Sequence, residues 1–276
     1  MIAKFASAVT MIALAAGVAT LSTMPNDARA QTPSETIRKE LAPTGKFRLS
    51  FVAANVLIVR KDADTGEFRG IVAEIGKAVA AHLNVPFEAV AYPEVVSLNK
   101  STGTGTWDAV MRSFDARRAD ELAFTPPFME VESSFLVGPE SPLRHIDEID
   151  RPGIRIAFSR GSVIDNFFQK NPLKHATIER TTGPGPAIEM VKAGQADAFA
   201  QNREFLTVVS QQISGFRVLD GSYETLGFSL AVPKASSAAA EYLSKLIEDW
   251  KASGFIREAM ARSGLKSAKV APPSKL

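Results

Sequence analysis

The clearest local chemistry lies in Gly161-Ser162-Val163-Ile164-Asp165. A strand-like run, Ile154 to Phe158, ends just before it, and helix-type sequence runs from Ser162 to Lys170. Ser162 with Asp165 three residues on matches a capping box, in which side chains satisfy the orphan N–H groups of a helix start. N–H groups left free at such a turn, together with the helix dipole, favour an anion. Gly161 would let the backbone approach a ligand closely. A structural cap and an anion-binding turn are both open readings here, and they are compatible. Other patterns exclude chemistry. With no cysteine, disulfides, thiolate catalysis and Cys-type metal sites are ruled out. His82, His145 and His175 share no metal-type spacing, so neither a metal site nor a cofactor is expected. The Gly/Thr loop from Ser101 to Thr106 lacks the Gly-Lys-Ser/Thr of a phosphate cradle. Glu130, Glu132 and Asp165 are carboxylates that could act as general acid or base. No Ser-His-Asp or paired-carboxylate pattern accompanies them, and the chain is expected not to be an enzyme.

The elements that must position these residues alternate along an ordinary globular sequence of 276 residues, 45 % hydrophobic and 22 % charged. A formal charge of +2 offers no basic face for a phosphate backbone, so nucleic acid is not an expected partner, and a monomer is the expected state. Residues 1–30 read as a signal peptide: Lys4, an apolar run from Phe5 to Leu21, then Ala28-Arg29-Ala30 before a cleavage point after Ala30. The rival reading is an uncleaved anchor, although the run is slightly short of the roughly 20 residues that span a bilayer. Cleavage would remove Lys4, Asp27 and Arg29, leave a nearly neutral chain and free it into the periplasm.

Lys46 to Ala53 is strand-like, with Phe47, Leu49 and Phe51 on one face. Ile71, Ile75, Val79 and Leu83 predict a helix over 71–83 that stops at Asn84. Further strands are expected at Val85–Tyr92, Ser133–Val137, Ile154–Phe158, Ala196–Ala200 and Phe228–Val232. Further helices are expected at Glu94–Lys100, Ser162–Lys170, Pro186–Ala193, Glu241–Trp250 and Gly254–Arg262. The alternation argues for parallel α/β sheets. Gly45-Lys46-Phe47-Arg48-Leu49 and Gly153-Ile154-Arg155-Ile156 open two similar halves. Residues 266–276, basic and Pro-containing, read as a flexible tail.

Several passages then carry a resemblance. Gly70-Ile71-Val72-Ala73-Glu74-Ile75 and Arg118-Ala119-Asp120-Glu121-Leu122-Ala123-Phe124-Thr125-Pro126-Pro127-Phe128 resemble two motifs of family 3 bacterial solute-binding proteins, the polar amino-acid-binding type. Gly161-Ser162, Lys192-Ala193-Gly194-Gln195-Ala196-Asp197-Ala198 and Lys251-Ala252-Ser253-Gly254-Phe255-Ile256 follow in that family's order. The resemblance covers about residues 45–262. It implies an α/β, two-lobed periplasmic-binding-protein fold (type II), with lobe 1 at 45–134 and 228–265, lobe 2 at 135–227, and two crossover strands between them.

It also implies a ligand site in the cleft. Arg118 matches the family's carboxylate-gripping arginine, whose planar fork suits two charge-assisted bonds. Ser113 falls where the family has a second carboxylate contact, although the chain from Asp108 to Arg118 is two residues shorter than the family spacing. Gly161 and Ser162 match its Gly-Ser/Thr turn. Asn202 stands where the family has an acid for the ligand's ammonium. Ala54-Asn55-Val56-Leu57 replaces an aromatic stretch, with Asn55 as a candidate donor, and Val72 replaces an acid. Arg160 and Arg203 lie near the presumed cleft. The resemblance implies a substrate-binding protein that carries a small carboxylate-bearing solute, amino acid or organic acid, to an inner-membrane ABC permease. A dehydratase-like enzyme on the same scaffold and a ligand-presenting sensor are the alternatives.

Overall fold

The computed structural model describes residues 33–53, 55, 57–115 and 118–275; the expected signal peptide over residues 1–30 lies outside the described residues. The chain runs through α1 (Glu35–Leu41), β1 (Phe47–Val52), β2 (Arg60–Lys61), β3 (Phe68–Arg69), α2 (Ile71–Leu83), β4 (Phe87–Tyr92), α3 (Val95–Lys100), β5 (Ala109–Ser113), β6 (Leu122–Phe124) and β7 (Met129–Val137). It continues through β8 (Arg155–Ser159), α4 (Val163–Lys170), β9 (Thr177–Thr181), α5 (Pro184–Lys192), β10 (Ala198–Asn202), α6 (Arg203–Gln212), β11 (Arg217–Val218), β12 (Glu224–Pro233), α7 (Ser237–Ser253), α8 (Phe255–Arg262) and β13 (Lys269–Val270).

One curled sheet of order β4-β1-β5-β12-β7-β10-β8-β9 runs through the molecule. β1 pairs in parallel with β4 and β5 in the first lobe, as β8 does with β9 and β10 in the second. β12 and β7 are the two crossover strands, antiparallel from Glu224 opposite Ser133 to Phe228 opposite Met129. The chain leaves lobe 1 along β7 and returns along β12. The fold is therefore the expected two-lobed α/β architecture, with one correction. The sheet is mixed rather than parallel, because each crossover strand runs against its neighbour in either lobe. Both crossover strands also extend beyond the predicted runs of 133–137 and 228–232.

Alternation along the strands builds a core on both faces. In lobe 1, Phe47, Leu49 and Phe51 of β1 are fully buried against α2, α7 and α8, while Leu98, Trp107 and Val110 pack on the other face. In lobe 2, Phe135 and Phe158 pack with Phe168 of α4 on one face, and Leu136 and Phe199 pack under α5 and α6 on the other. The similar openings of the two halves have a common function. Arg48 donates from its backbone N–H (2.8 Å) and Nε (3.1 Å) to Oδ2 of Asp108, and from Nη1 to the Gly105 carbonyl. Arg155 repeats this with Asp197 (2.8 and 3.0 Å) and the Gly194 carbonyl. Each clamp ties the start of a lobe's first strand to the aspartate that leads into its neighbour.

The final segment differs from expectation. Residues 266–275 are not a solvated tail but are packed against both lobes. The Glu204 carboxylate, 6 % exposed, accepts the backbone N–H groups of Lys266 (2.8 Å), Ser267 (2.6 Å) and Ala268 (3.2 Å). β13 then pairs with Met129 and Glu130 of β7, Ala271 donates to the Phe128 carbonyl, and Lys251 donates to the Pro272 carbonyl. The segment leaves lobe 1 after α8, touches α6 in lobe 2 and returns along the crossover. Lobe 1 also begins earlier than Gly45, since Glu40 of α1 accepts the Ala239 N–H of α7 at 2.7 Å. Among the described residues no helix is long and apolar enough to cross a membrane.

Candidate functional site

Where the lobes meet lies a cavity of about 210 Å³, walled from both sides. Lobe 1 contributes Asn55, Leu57 and Ile58 from the loop after β1, Val95 and Leu98 from α3, and Met111, Arg112 and Ser113 from the end of β5. Lobe 2 contributes Val163 and Ile164 from the first turn of α4, and Gln201 and Asn202 from the end of β10. Val131, Ser133, Leu226 and Phe228 of the crossover strands form the floor. These are strand ends and helix starts, where α/β lobes present ligand-binding groups.

Local geometry fixes the walls. The loop after β1 is pinned to α2, because Val72 donates its N–H to the Ile58 carbonyl at 3.2 Å. Gly70 stands at φ 104°, and a Cβ there would lie 2.8 Å from the Ile58 oxygen. Only glycine fits both the angle and the contact, which gives the Gly70 motif its physical meaning. Val163 follows a closed cap: the Ser162 hydroxyl accepts the Asp165 N–H (3.1 Å), and Asp165 accepts the Gly161 N–H (2.8 Å). That Gly161 N–H holds the Asp165 carboxyl below the usual carboxylate range, against the opposing effect of burial and with help from Arg180 at 3.0 Å.

The structure brings Asn55, Ser113 and Asn202 together at the cavity. Gly161, Ser162 and Arg118 do not line it. The N–H groups of Gly161, Ser162 and Asp165 are all taken within the turn, so Ser162 is a structural cap, while Val163 and Ile164, the first two residues of α4, are the part of the turn that lines the cavity. Arg118 is turned to Thr102 (2.8 Å) and Glu121 (2.6 Å). Arg112, on β5, reaches the cavity instead, with its Nη1 on Asn99 Oδ1 (3.0 Å) and its Nη2 3.8 Å from Asp115. Arg117, Ala54 and Val56 lie outside the described residues. Asn202 also caps α6, its Oδ1 accepting the Phe205 N–H at 2.8 Å, and Gln201 Oε1 accepts the Asn202 N–H at 2.9 Å.

Sequence reasoning missed Arg112, Gln201 and Ser133. A lone arginine inside the apolar run Val110-Met111-Arg112 was the available signal for the first. Among the described residues that line the cavity, none is acidic. Glu132 faces away from it and pairs with Arg203 (3.1 Å) and Lys269, and the Lys269 contact lowers its carboxyl below the ordinary range. No cluster of three or more His, Cys, Asp or Glu that would hold a metal exists among the described residues.

The fold has many solved counterparts. An ancestral cationic amino-acid solute-binding protein superposes with a TM-score of 0.69 at 19 % identity, covering 84 % of this chain and all of its own. The periplasmic VFT2 domain of Bordetella pertussis BvgS does so with a TM-score of 0.65 at 19 % identity, over 83 % of this chain and 97 % of that one. An amino-acid ABC transporter substrate-binding protein from Streptococcus pneumoniae, bound to L-arginine, gives 0.63 at 19 % identity, over 85 % of this chain and 100 % of that one. No curated protein matches the chain. Residues 57–264, from the cavity loop after β1 to the turn after α8, match the bacterial extracellular solute-binding proteins, family 3, and the chain belongs to that family.

Proposed function

We propose that this protein is the periplasmic substrate-binding component of an ABC-type uptake transporter and that it binds a small carboxylate-bearing solute between its lobes. The observation that carries this reading is the inter-lobe cavity itself, with Arg112 among its lining residues and hydrogen-bonding side chains from both lobes around it. A guanidinium takes a carboxylate through two charge-assisted bonds, each worth roughly 1.5–3 kcal/mol. A ligand that touches both walls favours the closed arrangement by its differential affinity for that state, and a membrane permease then reads the closed form. The S. pneumoniae neighbour, named as an ABC transporter substrate-binding protein, supports the transport role. Of the three carboxylates that could act as acid or base, Glu132 and Asp165 are engaged in ion pairs, and neither these two nor Glu130 lines the cavity.

The test is a thermal-shift screen on protein unfolded and refolded to strip bound solute, against amino acids, keto acids, dicarboxylates and aromatic acids. A ligand at 100 times its Kd adds about 2.7 kcal/mol to folded stability. A carboxylate that raises Tm and is recovered unchanged is the expected result. No stabilisation by any acid of the panel, or conversion of the bound acid, would contradict it.

A further inference from the structure

We infer that the solute is an acid with an apolar body and no α-ammonium group, and that Arg112 takes the anion-anchoring role for which the family motif pointed to Arg118. This rests on the proposed carboxylate-binding role and narrows it. Three observations converge. First, Arg112 reaches the cavity wall, whereas Arg118 is outside the lining and held by Thr102 and Glu121. Arg112 donates from Nη1 to Asn99 (3.0 Å) and pairs with Asp115 across 3.8 Å, which restrains its guanidinium before a ligand arrives.

Second, no described residue of the lining is acidic, and Asp115, a nearby carboxylate outside the lining, is paired with Arg112 at 3.8 Å. Asn202, at the position of the family's acid, is neutral, and its oxygen already accepts the Phe205 N–H. A buried ammonium without a carboxylate partner, close to a guanidinium, is unfavourable through desolvation and like-charge repulsion. Third, the cavity is lined mostly by carbon. Leu57, Leu98, Leu226 and Phe228 line it, and Val95 of lobe 1 and Val163 of lobe 2 also line it as exposed apolar side chains, at 52 % and 61 %. Exposed valines on both sides of a cleft are covered when the lobes close on an apolar ligand.

The experiment is calorimetric titration of stripped wild-type protein with matched pairs: 4-methylpentanoate against L-leucine, and 3-phenylpropanoate against L-phenylalanine. The acid lacking the amino group is expected to bind about 100-fold more tightly within at least one pair. Arg112→Gln is expected to weaken that acid by about 100-fold, Arg112→Lys by less, and Arg118→Gln by under about threefold. Circular dichroism melts separate lost binding from lost folding, and the wild-type pairs decide the ligand class whether or not the Arg112 variants fold. Equal or tighter binding of the amino acids would overturn the inference while leaving the carboxylate-binding reading intact. So would loss of the acid in Arg118→Gln with retention in Arg112→Gln. Failure of both pairs and of every acid in the wider screen would overturn both.

Discussion

A single carboxylate at the start of α4 holds one wall of the cleft. Asp165 is 2 % exposed, accepts the Gly161 N–H and pairs with Arg180, and it titrates below the ordinary aspartate range chiefly because of that N–H. A depressed folded-state value means stability that is present above the unfolded value, near pH 4, and is lost as pH falls through the folded value. Asp165→Asn should therefore be less stable than wild type at pH 7, with the gap narrowing as pH falls below about 4. Tm against pH for the two proteins checks this; a gap that does not change with pH would contradict it. Asn202 offers a second test. Aspartate caps helices as well as asparagine does, so Asn202→Asp should keep α6 while placing a negative charge at the cavity. Amino acids should gain affinity and simple acids should lose it, by about tenfold each, in the same titrations. The cap at Ser162 was legible because its signal is local, a hydroxyl and a carboxylate three residues apart. The side-chain direction of Arg118 was not legible, because its motif fixes only distance along the chain to Phe124. With two residues fewer between Asp108 and Arg118 than the family spacing, the guanidinium ends on Thr102 and Glu121.

At the scale of elements, positions follow from periodicity where one face is continuously apolar. The predicted bounds of α2, 71–83, match the structure, since Ile71, Ile75, Val79 and Leu83 form its buried stripe and Asn84 ends it at φ 54°. The stripe of α6 (Arg203–Gln212) is shorter, with Leu206 and Val209 buried and Phe205 beside them, and the adjoining Thr207, Val208 and Val209 are β-branched residues that favour strands, which obscures it in the sequence. β13, with two residues, gains its strand geometry only from β7, a pairing no local pattern contains. Two variants probe elements that position the site. Gly70→Ala forces a positive φ and a clash with the Ile58 oxygen, and should cost about 1–3 kcal/mol by denaturant midpoint, with weaker ligand binding because Ile58 forms the wall. Glu204→Ala removes the acceptor for three backbone N–H groups of residues 266–268. It should cost on the order of 2 kcal/mol and raise amide exchange over 266–271; unchanged exchange there would show that β13 holds the segment without Glu204.

The whole molecule is two similar halves, each opened by the same Arg–Asp clamp, joined through β7 and β12 and bridged a second time by the C-terminal segment. The architecture was legible because motif order survives where individual side chains change. The mixed sheet was not, because strand direction at a crossover is a property of the folded chain. Lobes that each place helix starts and strand ends at one cavity make a single claim: the solute is held by both at once. Amide hydrogen exchange with and without the tightest acid from the titrations tests it most directly. Binding should protect residues 55–59 and 111–113 in lobe 1 together with 163–166 and 201–205 in lobe 2. Protection confined to one lobe, or centred on the depression lined by Pro139, Asp197 and Phe216 on lobe 2, would contradict it.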